Sequence, residues 1–355
     1  MARGSVIRGS GVAEADRPVR AAGTATIGSA ATAERDRAGS AATLATRRAS
    51  GLPSYNGAVD WPEPARAEHT EREPEHEIAV VVLTQADRPA ELTRALASVR
   101  AQQHVDAQLV LVVNGATPPE AEPFDELIVL PHNAGIPGGR NIGAAAAHAR
   151  LIMFLDDDAE LLDPEMLAAV VDRFHTDPEL GAMSIRLVDE EGQTQQRHIP
   201  RLGSGSAEKS GHVTHFVGAA CVVRASTFRQ VKGFDPLFFY SMEESDLSWR
   251  LLDAGWSIWY SADLTAFHPR TYPSRHQGYV RLIARNRLWM SWRSLPAPLL
   301  VAYLAIWTLA AVLRGAPVRD VLDGYQSAWS ARPPRRPMRW RTVGRMTLLG
   351  RPPIV

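Results

Sequence analysis

The chain has one cysteine, Cys221, so no disulfide can form within it. That residue sits in the apolar run GAACVV, where a small core side chain is expected rather than a nucleophile. Lysine is almost missing: Lys209 and Lys232 are the only two, and arginine carries nearly all the positive charge. Acidic and basic residues cancel at 39 each, which leaves no global pull toward nucleic acid. The N-terminus lacks the apolar stretch of a secretory leader, so a cytoplasmic location is expected. Two phosphate-binding signatures are also absent: there is no G-x-x-x-x-G-K-[ST] and no G-x-G-x-x-G.

Residues 1–76 are rich in Ala, Gly, Ser, Arg and Glu without a sustained apolar period, and read as a disordered extension. Order is expected from EIAVVVLT, Glu77 to Thr84, a short continuous apolar run typical of a buried parallel strand. A helix follows, with Pro89 in its first turn and Leu92, Leu96 and Val99 on one face. AQLVLVVNGA, ELIVLPHN and LIMFL supply further strands, and GAAAAHAR is a helix former between the last two. DPEMLAAVVDRF reads as a helix with Asp163 at the N-cap and Pro164 at its first position. Strands and helices in alternation predict an α/β domain with a mostly parallel, Rossmann-like sheet flanked by helices.

Ligands of such sheets bind beyond the carboxyl ends of the strands. Thr84 and Asn114 fall there, and so do Asp156, Asp157 and Asp158 in LIMFLDDDAEL. Adjacent carboxylates repel unless a cation neutralises them, and hard oxygen ligands suit Mg²⁺ or Mn²⁺. An acidic turn capping the next helix is the plainer explanation for an isolated Asp triplet, but the strand-end position favours a metal. Upstream, NAGIPGGRNIG places Gly139, Arg140 and Asn141 just before a helix N-terminus. Glycines that let a backbone approach closely, beside two donor side chains, suit a diphosphate or sugar.

A second acidic group, Glu243, Glu244 and Asp246, opens a helix ended by Gly255. Stabilisation by the helix dipole accounts for such acids without any further role. The functional alternative is that one of them faces the cleft as a general base, and spacing alone leaves all three open. His268 closes the segment WYSADLTAFHP and would be a third metal ligand if folding brings it to the aspartates.

The order of these pieces resembles the family 2 glycosyltransferases of GT-A fold. The matching stretches are the strand ending in Thr84, NAGIPGGRNIG, FLDDDAEL, GAACVVRASTFRQVKGFDPLFF, EESDLSWRLLDAG and FHP, over about residues 78–269. The likeness is greatest to bacterial rhamnosyl- and galactofuranosyltransferases of cell-surface polysaccharide synthesis. It implies an inverting, metal-dependent transfer from a nucleoside-diphosphate sugar to a glycan or polyprenyl-linked acceptor. It implies that Asp158 and His268 bind Mg²⁺ or Mn²⁺, with Asp156 on the metal or the nucleoside and Asp157 on the donor side. Thr84, Arg88 and Asn114 lie where the nucleoside binds in that family. Glu244 falls on the family's base, usually an aspartate, and Asp246 on an acid that orients the acceptor. Many relatives carry an aspartate after the second strand, where this chain has VVNGA. Two other functions compete: a non-catalytic sugar- or nucleotide-binding module on the same framework, and a nucleotidyltransferase, which shares strand-end aspartates.

The glycosyltransferase domain is expected over 77–290, followed by a helical segment, 291–355. Residues 295–313 are uncharged and nearly all apolar. They fall just short of the roughly 20 residues of a spanning helix. After Asp323 no acid follows, while Arg332, Arg335, Arg336, Arg339, Arg341, Arg345 and Arg351 do. An apolar helix and basic tail suit the anionic cytoplasmic face of the plasma membrane. A buried helix closing the domain, with a loose tail, is the alternative.

Overall fold

The computed structural model describes residues 47–48, 74–119, 124–202, 206–270 and 278–354. The extension expected to be disordered therefore lies almost wholly outside the described residues.

Four parallel strands form one half of the sheet: β2 (His76–Thr84), β3 (Ala107–Asn114), β4 (Glu126–Leu130) and β5 (Ala149–Asp156). A two-residue strand, β1 (Arg47–Arg48), pairs in parallel with the outer edge of β4. Beyond β5 the sheet becomes mixed. β9 (Ala220–Arg224) runs antiparallel between β5 and β7 (Leu180–Val188), and β10 (Ser257–Phe267) lies parallel to β7. Two short strands, β6 (Glu160–Leu161) and β8 (Gly211–His212), pair antiparallel with β10.

Alternate side chains of the central strands feed two cores, as the two-residue period of a strand requires. Val80, Val82, Leu109 and Leu111 pack with α1 (Pro89–Arg100) and α3 (Met166–Thr176) on one face. Val81, Val110, Val112 and Phe154 pack on the other, toward α4 (Ala225–Gln230), α5 (Glu243–Ala254) and the C-terminal helices. Phe154 is fully buried and meets the Phe234 ring edge-on at 5.2 Å, tying β5 to the loop before α5. Losing a buried ring of this kind typically costs about 3–5 kcal/mol.

α2 (Gly135–Ala146) starts eight residues before the expected helix GAAAAHAR and ends inside it. Its glycines explain the difference. A Cβ on Gly139 would lie 2.3 Å from Leu83 Cδ1, and one on Gly143 would lie 2.3 Å from Val81 Cγ1. They let the helix settle against the sheet, so their contribution is packing rather than open backbone for a ligand. Asp163 is displaced too: α3 begins at Met166, and the Asp163 carboxylate accepts from the Glu165 amide in the preceding turn.

Four helices close the C-terminal side: α6 (Tyr279–Ser294), α7 (Ala297–Leu313), α8 (Val318–Ser330) and α9 (Trp340–Leu348). Among the described residues no helix is long and apolar enough to cross a membrane. α7 nevertheless bares Val301, Leu309 and Leu313, each at least 60% exposed. The arginine-rich tail is pinned rather than loose. Arg335 donates to the carbonyls of Trp292 and Leu295, and Arg345 to those of Gly255 and Trp256 beyond the end of α5.

Candidate active site

From β2 the chain proceeds outward through β3 to β4 on one side, while β5 pairs on the other. The order reverses there, opening a crevice beyond the strands' carboxyl ends. Parallel register sets Leu83 opposite Asp156, so Thr84 and the three aspartates emerge together. The Thr84 hydroxyl donates to Asp157 Oδ2 at 2.6 Å and accepts from the Ala86 amide at 2.8 Å. Arg88 donates through Nη2 to Asp157 Oδ1 at 2.7 Å and through Nη1 to Asp158.

His268 arrives from 110 residues downstream through two strand pairings. The last residues of β10 pair with β6, which directly follows the aspartate turn, and with the end of β7. The backbone amide of His268 donates to Val188 at 2.9 Å. Its Nε2 then lies 3.6 Å from Asp158 Oδ1 and 3.8 Å from Asp156 Oδ2. Asp156, Asp158 and His268 each present a ligand atom within 4.8 Å of the others. The buried Nδ1 of His268 has no hydrogen-bond partner among the described residues. Against that ring, at 5.4 Å, stands the edge of His198, whose pKa is pushed down to about 3 by burial and by Arg197.

Charge in this turn is divided unevenly. Burial pushes the Asp157 carboxyl up to about 6 against the opposing pull of its Thr84 hydrogen bond and Arg88. Burial and the neighbouring Asp156 charge raise Asp158 as well. Burial also opposes ionisation of Asp156, but Arg140 outweighs it, with help from His268, and holds that carboxyl below its ordinary range. Two carboxylates that repel each other when ionised and a buried imidazole match the donor set of a hard divalent cation.

Arg140 links the two acidic groups. It lies inside α2, only 3% exposed, and donates to Asp156 Oδ1 at 2.8 Å and to the Gly218 carbonyl at 2.9 Å. Its Nη1 is 3.5 Å from Glu244 Oε1 and 3.9 Å from Glu243 Oε1. Gly218 leaves room for this pair, because a Cβ there would sit 2.2 Å from Glu244 Oε1 and displace the two side-chain ends. Ordinary sequence reading passed over this residue, since nothing in GAACVV marks it as a shoulder of the site.

The three acids of α5 occupy three different surroundings. Asp246 is fully buried between Arg250, at 2.9 Å, and Arg293, whose Nη1 reaches its two oxygens at 3.1 and 3.2 Å. Arg293 also pairs with Asp235. That arrangement saturates Asp246 and makes it a brace between α5 and α6 rather than a cleft residue. Glu243 is 1% exposed, and its Oε2 has no partner among the described residues. Burial and the adjacent Glu244 push its pKa up to about 8. Glu244 keeps about a quarter of its side chain exposed beside Arg140. Burial raises its pKa, and Arg140 opposes the rise.

Backbone strain sets the start of α5. Phe239, Ser241 and Met242 all have positive φ, at 61°, 68° and 73°. Non-glycine residues there cost about 1–3 kcal/mol each and persist only when their surroundings hold them. Asn286 of α6 provides the hold: its amide donates to the carbonyls of Phe238, Tyr240 and Ser241 at 2.8–3.0 Å.

The remaining expected donor-side residues are supports. Asn114 donates to Asn133 and the Gly135 carbonyl and accepts from the Ala134 amide, fixing the entry to α2. Asn141 clamps the backbone of Phe234 from both sides, at 2.8 and 3.0 Å. Gly139 faces Leu83 in the core. Neither Asn114 nor Asn141 is more than 3% exposed.

The high pKa of Glu243 gives a stability test. Its folded pKa, about 8, lies above the ordinary 4.5, so the folded state holds a proton that the unfolded chain releases. That contribution is full below about pH 4.5 and is lost as pH rises through about 8. In chelator, Glu243→Gln should therefore melt increasingly above the wild type as pH climbs through this window. Parallel melting curves for the two proteins across it would remove the assignment.

Residues 79–232 match the family model described as Glycosyl transferase family 2. A pre-mycofactocin glycosyltransferase of Mycobacterium tuberculosis is 30% identical over 200 residues, covering 51% of this chain and 40% of that protein. This chain thus spans less than half the length of that relative. The N-acetylglucosaminyl-diphospho-decaprenol L-rhamnosyltransferase of the same organism is 26% identical over 253 residues, covering 59% of this chain and 81% of the relative. Among solved structures, GalNAc-T7 with UDP, GalNAc and Mn²⁺ superposes with a TM-score of 0.51 at 14% identity, over 72% of this chain and 55% of that one, a likeness of fold.

Proposed function

We propose that this chain, which carries a glycosyl transferase family 2 domain on a GT-A fold, transfers a sugar with inversion from a nucleoside-diphosphate donor to a hydroxyl of a glycan or lipid-linked acceptor. The observation that carries the reading is the meeting of Asp156, Asp158 and His268 beside Arg140, whose other side faces Glu244. The residue set fits a divalent cation, Mg²⁺ or Mn²⁺. When bound, the ion neutralises charge building on the departing diphosphate, an effect worth several kcal/mol.

This chain's own residues do the rest. Arg88, Thr84 and Asp157 form a polar lip for the donor on the β2 side. Glu244 takes the proton of the acceptor hydroxyl, and the acceptor oxygen forms a bond to the anomeric carbon. The bond from that carbon to the phosphate oxygen breaks, and its electron pair leaves with the diphosphate. A base opposite the leaving group gives inversion. A carboxylate with a raised pKa is the stronger base near neutral pH, and Arg140 opposes the rise that burial imposes on Glu244. Asp246 and Glu243 position the helix. The rhamnosyltransferase relative makes a nucleotide-linked deoxysugar the first donor to try. The apolar surface of α7 supports work at the cytoplasmic face of the membrane, and the balanced net charge offers nothing for nucleic acid.

Incubation with a panel of nucleotide sugars and Mn²⁺ tests the reading. Release of nucleoside diphosphate is the expected result. Release of pyrophosphate instead would make the protein a nucleotidyltransferase, and no cleavage of any donor would leave only a binding module.

A further inference from the structure

Each of the two candidate ligand aspartates has one oxygen engaged by an arginine. Asp156 Oδ1 accepts from Arg140 at 2.8 Å, and its Oδ2 is the oxygen that lies 3.8 Å from His268 Nε2. Asp158 Oδ2 accepts from Arg88, and its Oδ1 is the oxygen that lies 3.6 Å from the same nitrogen. One oxygen of each carboxylate therefore faces a guanidinium and the other faces the imidazole. Asp157, between them, has both oxygens occupied, by the Thr84 hydroxyl at 2.6 Å and by Arg88 Nη2 at 2.7 Å.

Both guanidiniums are held in place. Arg140 is 3% exposed, also donates to the Gly218 carbonyl, and lies 6.0 and 5.8 Å from the centres of the Phe154 and Phe234 rings. Arg88 grips Asp157 and Asp158 with its two terminal nitrogens, as the planar fork of an arginine allows. The Thr84 hydroxyl ties Asp157 to the Ala86 amide and so anchors that grip to the end of β2. An oxygen that keeps a charge-assisted hydrogen bond is a poor second ligand, so each aspartate offers a cation one oxygen. That restriction separates cations by size. Ca²⁺ takes about six to eight oxygens and often draws both from one carboxylate. Mg²⁺ demands a near-ideal octahedron and fills it largely with water and phosphate oxygens.

We infer that Arg88 and Arg140 determine the specificity of this cation site: each withholds one carboxylate oxygen, of Asp158 and Asp156 respectively, and together they set the site for Mg²⁺ or Mn²⁺ against Ca²⁺. Thr84 and Asp157 act through Arg88 as positioning residues. The inference rests on the cation site of the proposed reaction; sugar transfer itself does not enter it.

Calorimetric titration of the full chain with Mn²⁺ and with Ca²⁺, in the absence of donor, is the test. The wild type should bind Mn²⁺ at least about tenfold more tightly than Ca²⁺. Arg88→Met frees Asp158 Oδ2 and should narrow that ratio by about tenfold, the low end for an outer partner of a metal ligand. Loss of positive charge alone would instead tighten both cations by a similar factor and leave the ratio where it was. Thr84→Val changes no charge and should narrow the ratio in the same direction by less; should Arg88→Met fail to fold, this variant decides. Wild-type protein that binds Ca²⁺ as tightly as Mn²⁺, a ratio unmoved by Arg88→Met, or no binding of either ion would overturn the assignment. Donor cleavage is read separately. If a nucleotide sugar is cleaved and the ratio does not move, the arginine assignment alone falls. If the ratio moves as expected and no donor is cleaved, that assignment stands and the transferase reading falls.

Discussion

Asp158→Asn should lower sugar transfer by at least about 10²-fold, since each 1.36 kcal/mol of barrier is a factor of ten and a catalytic cation supplies several. The substitution keeps volume and removes one charge from a carboxylate that is only 5% exposed and 3.6 Å from His268. His268→Ala should act in the same direction, by deleting the nitrogen that faces both aspartates. A second readout separates loss of metal from loss of fold. Mn²⁺ should raise the melting temperature of the wild type, as any ligand of the folded state does, and should raise neither variant's by as much. Full turnover in excess chelator, or an undiminished Mn²⁺ shift in both variants, would sink the metal assignment.

Glu244→Gln should reduce turnover by at least about 10²-fold, the low end for a positioned base. Donor affinity should fall far less than turnover, because the side chain lies across Arg140 from the aspartates. The variant also isolates the base from its neighbours. Asp246→Asn should instead lower the melting temperature, because it strips charge from a buried site facing Arg250 and Arg293. Breaking one partner of a buried pair typically costs about 3–5 kcal/mol. If Asp246→Asn abolishes turnover without loss of stability while Glu244→Gln stays near wild type, the base is Asp246.

Most of the framework was readable in advance, because it is written in local periodicity. Val80 to Val82 and Leu151 to Leu155 are continuous apolar runs, and they form the paired central strands β2 and β5. The strand-end position of Asp156 followed from the same run. The convergence of His268 with Asp156 and Asp158 was legible only through resemblance. It depends on β10 shifting register between Ser261 and Thr265 before it reaches β6, and no short-range pattern encodes that. The choice of Glu244 over Glu243 and Asp246 likewise came only through resemblance. The different surroundings of the three acids are set by Arg140, Arg250 and Arg293, which come from three helices. The glycines of NAGIPGGRNIG misled because a glycine serves equally for a ligand's approach and for a helix's, and only Leu83 and Val81 reveal which.

One guanidinium touches both ends of the site, and that has a consequence for the order of events. Arg140 divides its charge between Asp156 and Glu244. A cation arriving at Asp156 competes for that carboxylate and leaves more of Arg140's field to Glu244. That favours the ionised form of Glu244, so a cation at the donor end would prime the acceptor end without any moving part. Coupling of this kind is reciprocal. Deprotonating Glu244 would then tighten the cation by the same factor, and on the proposed reaction donor and acceptor would be coupled by electrostatics rather than by a lid.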